Sequence, residues 1–162
     1  MFHFNNIDEM VDNIWLGNNS AATDIKDLKK KGIKKILTVM NQDGTNYMPE
    51  DGFIHKKYNI MDSNDQNIIQ YFGECLKFME GEEKVLVHCW AGACRSATIV
   101  IAYVMWKKKM KYKDASQFVR DKRFIVYPNF GFRKQLQIFE KLLIDNDYDI
   151  DKIKFEEIKI NN

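Results

Sequence analysis

Cys89, Arg95 and Ser96 lie close together in the chain, and their types suit nucleophilic attack on an oxyanion. A thiolate is a strong nucleophile, and the planar guanidinium fork of arginine matches the oxygens of a phosphoryl group as a lysine ammonium cannot. Arg is scarce in this chain beside abundant Lys, which makes its presence here informative. Between Cys89 and Arg95 run Trp90, Ala91, Gly92, Ala93 and Cys94, a turn of mostly small residues. Such a turn, followed by a helix, lets successive backbone N–H groups and the helix N-terminus converge on an anion. The amides, the helix dipole and Arg95 all favour the thiolate form of Cys89. The competing readings are an inert core cysteine at a strand end and an ordinary arginine at a helix start.

The spacing His88-Cys89, two residues, Gly92, two residues, Arg95-Ser96 resembles the signature of the cysteine-dependent protein phosphatases. Arg-Ser-Ala-Thr resembles the dual-specificity branch, in its small, atypical form. The resemblance extends from about Asn13 to Leu143. It implies a metal-independent protein phosphatase acting on phosphotyrosine and on phosphoserine or phosphothreonine through a cysteinyl-phosphate intermediate. In that scheme Cys89 attacks phosphorus while Arg95 and the amides from Trp90 to Arg95 hold the oxygens. Ser96 stabilises the returning thiolate, and His88 orders the loop without acting as the acid. The leaving oxygen needs a proton. In the family the general acid precedes a helix opening with an aromatic pair, and Tyr71-Phe72 fits that register for Asp62. Asp65 is the rival, and it suits equally a helix cap or first-turn charge.

The residue before Arg95 is commonly Ser in the dual-specificity branch and is Cys94 here. It either replaces the hydroxyl or captures an oxidised Cys89 as a disulfide. The cradle lacks a second basic residue, which disfavours phosphoinositides, and nothing in the chain implies a kinase-docking domain. A phosphoprotein-binding module with the same fold is the alternative from another class, and an RNA 5′-phosphatase a further enzyme alternative. The chain has no basic, aromatic-interleaved surface pattern, so nucleic acid is not expected as a partner. His88, Cys89 and Cys94 have no partner pair at zinc-ligand spacing, so neither a metal nor a cofactor is expected.

These side chains need a strand to deliver Cys89 and a helix to begin at Arg95. Val85, Leu86 and Val87 predict a short buried strand, and Ala97 to Trp106 a helix buried on all sides. The expected fold is α/β, a central mixed, mostly parallel sheet flanked by helices, with 162 residues and 45% hydrophobic content enough for one core. Residues 1–12 read as a polar extension ordered in part by Phe2 and Phe4, residues 13–144 as the phosphatase domain, and 145–162 as a tail of open role: strand, docking segment or frayed end. The helix carrying Ile68, Phe72, Cys75, Leu76 and Met79 places Cys75 in the core. In the loop from Met40 to Gly52, Asn46, Tyr47 and Met48 either border the substrate or belong to a solvated connector. Arg123, ahead of Pro128-Asn129, either meets a second phosphate or sits as a surface cation at a helix end.

A net charge of +2 implies no general attraction to nucleic acid or an anionic membrane. The longest apolar run is about half of what a bilayer requires, so no membrane anchor is expected. Three cysteines including a thiolate fit a reducing compartment, the cytoplasm or the nucleus. Composition leaves the oligomeric state open.

Overall fold

The computed structural model describes residues 5–160, so Phe2 and Phe4 lie outside the described residues. Its centre is a five-stranded mixed sheet in the order β1-β2-β5-β3-β4. The strands are β1 Ile7–Val11, β2 Ile14–Gly17, β3 Ile33–Val39, β4 Ile54–Tyr58 and β5 Lys84–His88. β1 is antiparallel to β2, and every other pairing is parallel. Val85, Leu86 and Val87 are fully buried because β5 lies between β2 and β3 with helices on both faces. That environment selects a continuous apolar run over an alternating one.

The two faces divide the helices. α1 Asn19–Thr23 and α2 Ile25–Lys31 bring Ala22 and Leu28 onto Ile33, Ile36 and Leu86. The opposite face carries α3 Phe72–Met79, α4 Arg95–Lys107, α5 Tyr112–Lys122 and α6 Phe130–Asp145. α4 is buried at every position from Arg95 to Met105, as an all-round apolar helix requires. Cys75 is buried in α3. No helix among the described residues is long and apolar enough to cross a membrane.

Residues 7–11 and 150–158 pack more closely than their composition suggests. β1 forms an edge strand whose Asp8 pairs opposite Leu16. Beyond α6 the chain makes two 3₁₀ turns, Ile150–Lys152 and Phe155–Glu157, with Ile150, Ile153 and Phe155 buried. Phe155 stacks near Phe139 at 6.0 Å, and Asn67 Nδ2 donates to the Ile158 carbonyl at 3.0 Å. The segment is a packed strap rather than a strand or a frayed end.

Candidate active site

β5 ends at His88, and the loop from Cys89 to Cys94 turns directly into α4. Every carbonyl from Trp90 to Cys94 accepts a hydrogen bond from outside the loop. Asn19 N donates to Trp90 O at 3.0 Å, and Arg123 Nη2 and Nε donate to Ala91 O at 3.3 Å and Gly92 O at 2.9 Å. Tyr127 N donates to Ala93 O at 2.7 Å, and Thr98 N and Oγ1 donate to Cys94 O at 2.9 and 2.7 Å. None of the loop's peptides is cis. In a trans peptide the N–H points opposite the carbonyl of the residue before it. With those carbonyls held outward, the amides from Ala91 to Arg95 face inward, forming an anion cradle at the start of a helix. Gly92 is required here: its φ is +66°, and a Cβ would lie 2.5 Å from Gly17 O.

At the floor of the cradle Cys89 is 2% exposed. Its Sγ accepts from Gly92 N at 3.3 Å and from Ser96 Oγ at 3.1 Å. Arg95 is buried, and its Nη1 donates toward Asn41 Oδ1 at 3.0 Å, Gln42 Oε1 at 2.8 Å and Ile60 O at 3.2 Å. Its Nε is buried without a hydrogen-bond partner among the described residues. A donor left in that state signals an acceptor still to arrive, and an oxyanion supplies one. Trp90 projects outward at 55% exposure, beside the mouth.

Asp62 and Asp65 have separated. Asp62 Oδ1 accepts from the Cys94 thiol at 3.0 Å and from Asn129 Nδ2 at 3.0 Å, which places this carboxyl beside the cradle. Asp65 instead borders another cavity, of about 370 Å³, with Asn64, Phe130, Gly131 and Lys134. The Cys94 sulfur also accepts from Asn129 N at 3.2 Å. Burial, followed by the Asp62 hydrogen bond, pushes the Cys94 thiol up, so it stays protonated. A protonated thiol is a poor nucleophile, which favours the hydroxyl-replacement reading over capture of an oxidised Cys89.

His88 is buried below the loop, and burial pushes its imidazole down to about 4. Its Nε2 lies 2.7 Å from Thr38 Oγ1, which lies 2.8 Å from His55 Nε2, and its Nδ1 lies 3.4 Å from Cys89 O. One assignment satisfies all three contacts for neutral rings. His88 Nδ1–H donates to the Cys89 carbonyl, Thr38 O–H donates to His88 Nε2, and His55 Nε2–H donates to Thr38. The ring thus ties the nucleophile's own backbone to β3.

Arg123 matches neither sequence reading. It is 4% exposed, bracing the back of the cradle through Ala91 and Gly92 and pairing with Asp8 at 2.6 Å. Tyr47 turns inward, donating to Ala22 O at 2.7 Å and packing on Phe53, while Met48 is exposed. From that loop it is Asn41 and Gln42 that reach the site, and sequence reasoning missed them. Two adjacent side-chain amides directly after a buried strand were the available signal.

The family model described as the dual specificity phosphatase catalytic domain matches residues 14–142. Dual specificity protein phosphatase 1 of Arabidopsis thaliana is 38% identical over 138 residues, 83% of this chain and 69% of that protein. Dual specificity protein phosphatase 1B of the same plant is 36% identical over 144 residues, 86% and 85% of the two chains. Among solved structures, the human tyrosine phosphatase-like serine/threonine/tyrosine-interacting protein superposes with a TM-score of 0.80 at 35% identity, covering 85% of this chain and 97% of that one.

Proposed function

The chain belongs to the dual specificity phosphatase family of catalytic domains, and from that premise we propose that it hydrolyses phosphotyrosine and phosphoserine or phosphothreonine in proteins through a cysteinyl-phosphate, without a metal ion. The observation that carries this reading is the loop whose carbonyls all point outward, so that its amides face the sulfur of Cys89. In the first step the Cys89 thiolate forms an S–P bond as the bond from phosphorus to the substrate oxygen breaks. Asp62 gives its proton to that leaving oxygen, while Arg95 and the cradle amides hold the remaining phosphoryl oxygens. In the second step water attacks phosphorus and gives a proton to Asp62. The S–P electron pair returns to sulfur, where Gly92 N–H and Ser96 O–H receive the charge. A thiolate of this kind needs a reducing compartment, which points to the cytoplasm or the nucleus.

The test is phosphate release from 4-nitrophenyl phosphate and from phenyl phosphate against pH, with chelator present, for wild type, Cys89→Ser and Asp62→Asn. Wild type should turn over without metal and Cys89→Ser should be inactive. Asp62→Asn should lose about 10²–10⁴-fold on esters with poor leaving groups. A wild-type protein that is inert yet holds phosphopeptide would replace this reading with that of a binding module.

A further inference from the structure

The carboxyl of Asp62 is held by two donors on one oxygen, and one of them is the residue at which this chain departs from its branch. Cys94 Sγ and Asn129 Nδ2 both donate to Oδ1, each at 3.0 Å. Asn129 also donates from its backbone N to the Cys94 sulfur at 3.2 Å, and its Oδ1 accepts from Phe132 N at 2.9 Å as the cap of α6. The contacts form one circuit, from the first turn of α6 through the thiol to the carboxyl. Resting on the phosphatase reading above, we propose that Cys94 is a positioning residue for the general acid, fixing Asp62 so that the proton for the leaving group stands on Oδ2.

A protonated carboxyl has one O–H, and an oxygen already accepting from two donors has no geometry left for a proton of its own. The proton therefore occupies Oδ2, the oxygen these contacts leave free. Asn129 N–H polarises the S–H that donates to Asp62, and hydrogen bonds in such a series strengthen one another. The one sulfur touches both Asn129 N and Asp62 Oδ1, accepting from the first and donating to the second. Removing it leaves the carboxyl on the Asn129 amide alone, free to rotate and to exchange the roles of its oxygens. General-acid transfer depends on that orientation, whereas attack by Cys89 does not.

The experiment compares kcat/KM for phenyl phosphate, whose leaving oxygen needs the proton, with that for 4-nitrophenyl phosphate, whose leaving group departs readily without it. In Cys94→Ala the ratio of the two should fall about tenfold, and Cys94→Ser, which keeps an O–H donor, should hold it within about threefold of wild type. On an Asp62→Asn background, Cys94→Ala should leave the ratio where Asp62→Asn alone puts it, because the proton it positions is already gone. Cys94→Ala slowing both esters by the same factor would overturn the role while leaving the phosphatase reading intact. A Cys94→Ser protein whose ratio collapses as far as that of Asp62→Asn would overturn it as well, even if Cys94→Ala did not fold. Wild type inert toward both esters would overturn the phosphatase reading, and the positioning role with it.

Discussion

Arg95 shows how one side chain is divided between holding and binding. Nη1 is committed to Asn41, Gln42 and the Ile60 carbonyl, which fixes the plane of the guanidinium, while Nε is buried without a partner among the described residues, where the proposed mechanism puts the phosphoryl group. A lysine ammonium is a single point of charge and cannot serve both sides at once. Arg95→Lys should therefore lower kcat/KM for 4-nitrophenyl phosphate about 10²–10³-fold and weaken competitive inhibition by inorganic phosphate, both readable in one steady-state series. The nucleophile, Ser96 and this arginine were legible in sequence because they share one contiguous strand-turn-helix. The register of Tyr71-Phe72 favoured Asp62 over Asp65, but sequence alone could not show which carboxyl lies beside the cradle.

At the scale of elements, the site is an agreement between the loop that carries Asp62 and the start of α6. These two backbones touch: a Cβ at Gly131 would stand 1.8 Å from Asn64 O and 2.6 Å from Asn64 C. Gly131→Ala must push them apart, and overpacking of this kind costs about 1–3 kcal/mol. It should lower the urea midpoint and also reduce the phenyl to 4-nitrophenyl phosphate ratio, because Asp62 moves with the loop while Asn129 moves with the helix. Loss of stability with an unchanged ratio would show that the contact does not position the acid. The central strand and the buried helix were readable from their apolar runs. β1 was not, because an edge strand of Ile-Asp-Glu-Met-Val buries only part of itself and carries a weak pattern. The strap after α6 was equally hidden: Ile150, Ile153 and Phe155 are buried, Phe155 between Gly73 of α3 and Phe139 of α6, and the three follow no sustained helical or strand period.

For the molecule as a whole, neutral His88 links the site to folding. The folded ring takes a proton only near pH 4, whereas an unfolded histidine does so near 6.5. Between those values the unfolded chain binds more protons, so stability falls as pH falls through that window, by roughly 3 kcal/mol from this ring. Burial lowers the proton affinity of His55 as well, in the same direction. Urea unfolding from pH 7 to pH 4 should show the decline, and His88→Asn, which takes up no proton, should show a shallower one. A variant as steep as wild type would assign the slope to other groups. By itself the sequence determined the chemistry-bearing stretch and the α/β class, because strand and helix signals and the Cys89-to-Ser96 spacing are local. Only the tertiary structure decided that Arg123 braces the cradle against Asp8, that Asn41 and Gln42 hold Arg95, and through which atoms Asp62 and Asn129 meet beside it. Those partners lie far apart in the chain, 54 residues between Asn41 and Arg95 and 67 between Asp62 and Asn129. Meetings at such range are set by how the helices pack around one sheet, and no periodicity within a segment records them.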